Sequence, residues 1–235
     1  MKGLPSYPNP QLAGYRMGGE AISPGLNYRT MRYALLVLVS ALWKVRVFNR
    51  HFEPARGGAV YICNHQSFLD PILVSVSLRR PMNYMARDSL FGHPLFGAVI
   101  RSYNAFPVRR NTADLAAMKE AMRRLKAGGQ LVVFAEGTRT GDGRVGPMLP
   151  GVAMLAQRAA EWTVPVAIDG AFEAWPRNQL LPSPGMVSVC YGRPIPRDEA
   201  AGMESDELMR RVRATIIELQ ADLRRRTGRG ELKYG

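Results

Sequence analysis

The sequence predicts an α/β fold, a mixed and largely parallel sheet flanked by helices. Short apolar runs of strand length alternate along the chain with segments whose apolar residues recur at helical spacing. No internal repeat or low-complexity tract breaks that alternation. With 235 residues, of which 46% are hydrophobic, the chain is long enough for one domain with a sizeable core.

The elements follow in order. Residues 1–28, rich in Gly and Pro and without an apolar signal region, read as a flexible leader. Residues 29–50 then hold the apolar run Tyr33 to Trp43, predicted to be a helix continuing toward Phe48. That run spans only about 16 Å as a helix against about 30 Å of bilayer hydrocarbon. Arg29, Arg32, Lys44, Arg46 and Arg50 bracket it, as in a membrane-interacting helix lying in the interface. A helix buried in a soluble core would show the same apolar run.

Gly58 to Cys63 is a buried strand, and Asp70-Pro71 has the form of a cap followed by proline at the first helical position. Strands are predicted over Asn83 to Ala86 and Ala105 to Val108, with a short helix from Pro94 to Ser102 between them. Thr112 is the expected cap of an amphipathic helix carrying Leu115, Met118, Met122 and Leu125 and ended by Gly128-Gly129. Leu131 to Phe134 is a strand, Gly151 to Glu161 a helix, and Val164 to Ile168 and Val187 to Tyr191 further strands. A last helix from Ser205 to Arg226 aligns Leu208, Val212, Ile216, Leu219 and Leu223. In such a fold the active groups gather in loops after the C-terminal ends of the strands.

Charge and cysteines narrow the function. Lys and Arg outnumber Asp and Glu by 32 to 19, a net +13, which favours anionic partners. No aromatic-interleaved basic strand, zinc spacing or nucleic-acid module accompanies that charge, so nucleic acid is not the expected partner. Cys63 and Cys190 lie in apolar strands without metal or disulfide spacing, as expected in a reducing, cytoplasm-facing location; no metal site is predicted.

Three clusters hold chemistry. In Asn64-His65-Gln66-Ser67-Phe68-Leu69-Asp70 the carboxylate would fix the imidazole's tautomer and stabilise its protonated form. The same residues would equally serve as a helix cap beside a structural histidine. Phe134-Ala-Glu-Gly-Thr-Arg139 offers a carboxylate, a closely approachable backbone and a bidentate guanidinium, or simply a turn with an ion pair. Phe106-Pro-Val-Arg-Arg110 is either a phosphate-sized positive site or a solvated basic surface.

Taken together and in this order, these blocks and Val164-Pro-Val-Ala-Ile168 resemble the glycerolipid acyltransferases, specifically the bacterial 1-acylglycerol-3-phosphate acyltransferases, over about Arg32 to Pro196. The resemblance implies that residues 51–235 form the acyltransferase domain. It implies that His65 is the general base, oriented by Asp70, and that Arg110, Glu136, Gly137, Thr138 and Arg139 bind the phosphorylated acceptor. It also implies acyl-CoA or acyl carrier protein as donor, no further cofactor, a membrane lipid as partner, and a peripheral or monotopic place on the cytoplasmic face of the cell membrane. Ala135 stands where that family usually has proline, and Leu149 about where it has lysine. Those departures leave other acceptors open: glycerol 3-phosphate, another lysophospholipid or an amino-acid lipid. A lipid-binding relative without activity would be expected to lose His65 or Asp70, and both are present.

Overall fold

The computed structural model describes residues 26–109 and 114–234. Residues 1–25 of the leader, Arg110 and Thr112 lie outside the described residues. The chain starts with α1 (Leu26–Leu42) and β1 (Trp43–Phe48), then β2 (Ala59–Cys63), α2 (Asp70–Val76), β3 (Met82–Arg87), α3 (Pro94–Ser102) and β4 (Ala105–Val108). It continues through α4 (Leu115–Lys126), β5 (Gln130–Phe134), α5 (Ala153–Arg158), β6 (Trp162–Asp169), α6 (Ala171–Ala174), β7 (Gly185–Tyr191), β8 (Ile195–Pro196), α7 (Arg197–Ala201) and α8 (Ser205–Arg226).

The sheet has the order β1-β7-β6-β2-β5-β3-β4, with β8 paired to the start of β6. Strands β6, β2, β5, β3 and β4 run parallel to one another. β7 runs antiparallel to β6, and β1 runs parallel to β7. This is the mixed, largely parallel sheet that the alternation of elements predicts. β2 lies at its centre with all five residues buried, as expected of a strand covered on both faces.

The two faces form separate cores. Val60, Ile62, Leu131 and Val133 pack with residues of α4, α5 and α8, including Ala121, Leu155, Leu208, Val212 and Ile216. Tyr61, Val132, Val164 and Val166 pack on the other face with Leu73 and Val74 of α2, Val39 of α1 and Trp43. Gly58 marks the closest approach to α4, since a Cβ there would stand 2.0 Å from the Leu125 carbonyl oxygen.

The N-terminal helix differs from the reading that carries it to residue 50. It starts before Arg29 and stops at Leu42, and Trp43-Lys-Val-Arg-Val-Phe48 pairs with β7 instead. The strand alternates, with Trp43 buried and Lys44 and Arg46 exposed. That period of two is a strand pattern, hidden in the sequence by the longer apolar run ahead of it. The 151–161 segment is also shorter, a single 3-10 turn at Pro150–Val152 followed by α5. At α4 the cap is Asp114, whose Oδ1 accepts the Ala117 N–H at 3.0 Å.

α1 packs Val39 inward and seats the Tyr28 hydroxyl on the Met82 N–H. Its outer side exposes Met31, Tyr33, Val37, Leu38 and Leu42. Among the described residues, no helix is long and apolar enough to cross a membrane.

Candidate active site

The parallel strands deliver three loops to one end of the sheet: 64–69 after β2, 135–149 after β5 and 170–184 after β6. The first is pinned by Asn64. Its side chain donates to the Ile168 carbonyl at 2.9 Å and accepts the Ile168 N–H at 2.8 Å, replacing the backbone pairing that β2 relinquishes. β6 therefore runs on to Asp169 while the neighbouring chain turns away at the site.

His65 follows. Its Nδ1 lies 2.7 Å from Asp70 Oδ2, with the imidazole 11% exposed and the carboxylate fully buried. The ring stacks on Phe134 at a centroid distance of 4.1 Å. Asp70 Oδ2 also accepts the backbone N–H groups of Gln66 at 2.6 Å and Ser67 at 2.8 Å. Asp70 is thus not the cap of its own helix. Leu69 holds the cap position without a side-chain bond, and the carboxylate turns back to the histidine loop. Burial raises the Asp70 carboxyl above its ordinary pKa, against the opposing pull of His65 and the two N–H donors. With Nδ1–H donated to that carboxylate, Nε2 is left as the basic atom of the ring.

Glu136 braces the same loop from β5. Its Oε1 accepts the His65 N–H at 3.0 Å, and the carboxylate also accepts from the Gly146 N–H. Burial pushes its pKa up to about 7 despite those two bonds. The Thr140 N–H closes the pair of loops on the His65 carbonyl at 2.8 Å. Between them Gly137 turns at φ +72°, where a Cβ would meet Leu149 Cδ1 at 3.1 Å. The turn leaves Thr138 exposed and Arg139 half-buried. The Arg139 guanidinium lies over the Phe68 ring, 3.5 Å from its centroid, so a cation of the loop after β5 is stacked on the histidine loop.

His65, Asp70, Glu136, Gly137, Thr138 and Arg139 thus share one end of the sheet, while Arg110 lies outside the described residues. Leu149 sits beside the Gly137 turn, its N–H bonded to the Ala135 carbonyl at 2.9 Å. An apolar side chain therefore occupies a place adjoining the basic turn.

The sequence assigns no role to Gln66 or Ser67 within the histidine run. Gln66 Oε1 accepts the N–H groups of Ala171 and Phe172, and its Nε2 donates to the Gly143 carbonyl at 2.9 Å. It ties all three loops together. Ser67 Oγ donates to the Trp175 carbonyl at 2.8 Å, and Phe68 packs against the Trp175 ring. The available signal was the polar run Asn64 to Ser67 set directly after a fully apolar strand, of which Asn64, Gln66 and Ser67 are buried. Cys63 is buried too, and its thiol is raised well above the ordinary range by that burial, which keeps it from forming a thiolate.

Comparison with known proteins supplies the family. The family model described as Acyltransferase matches residues 44–169, which begin in β1 and include every described site residue. The chain is 29% identical over 181 residues to the 1-acyl-sn-glycerol-3-phosphate acyltransferase of Bacillus subtilis (strain 168), covering 77% of this chain and 88% of that one. It is 31% identical over 144 residues to the protein of the same name from Cocos nucifera, covering 60% of this chain but spanning about half, 47%, of the plant protein. Among solved structures, the 1-acyl-sn-glycerophosphate (LPA) acyltransferase PlsC from Thermotoga maritima shares the fold, with a TM-score of 0.72 at 24% identity over 83% of this chain and 79% of that one. By the match of that model over more than half of its length, this chain belongs to the acyltransferase family.

Proposed function

We propose that the protein transfers a fatty acyl group from a thioester donor, acyl-CoA or acyl carrier protein, to the free hydroxyl of 1-acylglycerol 3-phosphate, giving phosphatidic acid. The observation that carries this reading is the 2.7 Å contact of His65 Nδ1 with the buried Asp70 carboxylate. His65 Nε2 takes the proton of the acceptor hydroxyl as its oxygen attacks the thioester carbonyl carbon. The tetrahedral intermediate then collapses, the carbon–sulfur bond breaks, and the imidazolium returns the proton to the leaving thiolate. Asp70 stabilises the imidazolium between those steps. No acyl-enzyme forms, in keeping with the buried, undissociated Cys63.

Arg139 is the described cation for the acceptor phosphate, and Arg110 is its partner by sequence position. Glu136 acts on binding through the turn it holds, since its carboxylate is occupied by two backbone N–H groups. The reaction takes place at a membrane surface on its cytoplasmic face, with the exposed apolar side of α1 in the interface and Arg29 and Lys44 toward headgroups.

The test is acyl transfer by purified protein over a panel of lysolipids, glycerol 3-phosphate and an amino-acid lipid, with His65→Ala as control. Lysophosphatidic acid should be acylated, and the control should lose activity by about 10²–10⁴-fold. Equal turnover by the two proteins refutes the mechanism. Turnover of uncharged or zwitterionic acceptors alone refutes the phosphate roles of Arg110 and Arg139.

A further inference from the structure

The loop between α6 and β7, residues 175–184, presents Leu180 and Leu181 at 88% and 71% exposure. The base of the loop is braced. The Ser183 N–H closes its base on the Ala174 carbonyl at 2.7 Å, the Gln179 side chain donates to Ser183 Oγ at 2.8 Å, and Trp175 Nε1 donates to the Gln179 carbonyl at 3.1 Å. Polar braces thus hold two adjacent leucines out into solvent. The sequence Trp175-Pro-Arg-Asn-Gln-Leu-Leu-Pro-Ser-Pro184 contains no acidic residue.

The loop also joins two places already described. Its first residue touches the catalytic loop, through the Ser67 Oγ bond to the Trp175 carbonyl and the Phe68–Trp175 ring contact. Its far end receives Trp43 Nε1 on the Ser183 carbonyl at 2.8 Å, directly after the exposed Leu42 that ends α1. Lys44, exposed on the edge strand, pairs in register with Met186 just beyond the loop.

We propose that this loop is a bilayer-inserting tip that seats the catalytic loop on the lipid surface. Leu180 and Leu181 enter the acyl region, and Arg177 and Lys44 meet anionic headgroups. The inference rests on the lipid acceptor proposed above and extends it, because it assigns the surface to a segment outside α1. A bilayer fits better than a protein partner. Two leucines fall far short of the roughly 1,000 Å² that a stable protein interface buries, whereas membrane insertion accrues residue by residue. The one charged residue within the loop, Arg177, is an exposed cation that suits anionic lipid, while the exposed Glu173 lies on α6 within 3.7 Å of Arg224.

The experiment compares the full-length protein with its Leu180→Ser, Leu181→Ser double variant. Both are sedimented with vesicles of phosphatidylglycerol and phosphatidylcholine. Both are also assayed on lysophosphatidic acid embedded in those vesicles and on a short-chain analogue dissolved as monomer. Vesicle affinity should fall on the order of tenfold per leucine, and the leucine-dependent part of binding should persist at high salt. Turnover of the embedded acceptor should fall with it, while turnover of the dissolved acceptor stays unchanged and thereby reports an intact fold. Unchanged vesicle affinity overturns the proposal, as does a variant that alters only self-association in lipid-free solution. If neither acceptor is turned over by the wild type, the proposed reaction fails, yet the sedimentation arm still decides the role of the loop.

Discussion

Replacing Asp70 by asparagine separates the chemistry of the histidine–carboxylate pair from its structural work. Asp70 Oδ2 accepts three bonds, from His65 Nδ1 at 2.7 Å and from the Gln66 and Ser67 N–H groups at 2.6 and 2.8 Å. Asparagine retains all three if its amide oxygen takes that place. Its NH₂ then occupies the place of Oδ1, which is buried and has no hydrogen-bond partner. An unsatisfied buried donor costs about 1–3 kcal/mol, and the melting temperature should fall by roughly 3–10 °C. The loop therefore survives, but the negative charge opposite the imidazolium is gone. The turnover number should drop on the order of 10²–10⁴-fold, with the KM for lysophosphatidic acid nearly unchanged. Steady-state kinetics beside thermal melts measure both effects on one preparation. A variant that melts lower yet keeps half the wild-type turnover would refute the reasoning and reduce Asp70 to a brace for residues 65–67.

Three further outcomes are expected. Because Glu136 is raised to about 7 in the folded protein from an ordinary 4.5, the native state holds more protons than the unfolded chain between those values, and its contribution to stability falls as pH rises through that window; melts across pH 4.5 to 7.5 should show wild type losing ground steadily to Glu136→Gln, and a constant gap would contradict the burial argument. Gly137→Ala forces a side chain into a φ of +72° and against Leu149 at 3.1 Å, so denaturant unfolding should show a loss of about 1–2 kcal/mol, with a raised acceptor KM as Thr138 and Arg139 shift. Leu149→Lys sets a cation beside that same turn and should lower the KM for phosphorylated acceptors about two- to fivefold, without effect on a neutral one.

Much of the fold could be read from local patterns, and the exceptions share a cause. The bounds of α8 are those its apolar stripe predicts, because a surface helix writes its period directly into the sequence. β1 was absorbed into the preceding helix because its alternation starts where the apolar run of α1 has not yet ended. Asp70 followed by proline has the local form of a cap, but three donors upstream outcompete the N–H groups of its own helix. His65, Asp70 and the Glu136 turn, which the structure brings together, stand out as candidates because each lies in a short, continuous motif. The roles of Gln66 and Ser67 do not, since their partners lie 77 to 108 residues away. Separations of 55 and 60 residues likewise hid the buried Asp169, which is held by Arg224 at 2.9 Å and Arg229 at 2.7 Å from the C-terminal helix and the segment after it.

The first two residues of the loop carrying His65 are held chiefly by partners distant in sequence. Asn64 is paired to β6, the His65 N–H to Glu136, and the His65 carbonyl to Thr140. Opening this loop therefore breaks bonds both to β6 and to the loop after β5. In amide exchange the His65 and Ile168 protons should rank with those of the central strands, released on global unfolding rather than by fraying of the loop. His65 would then be a fixed point of the scaffold, and any motion needed to admit a long acyl chain must come from other segments.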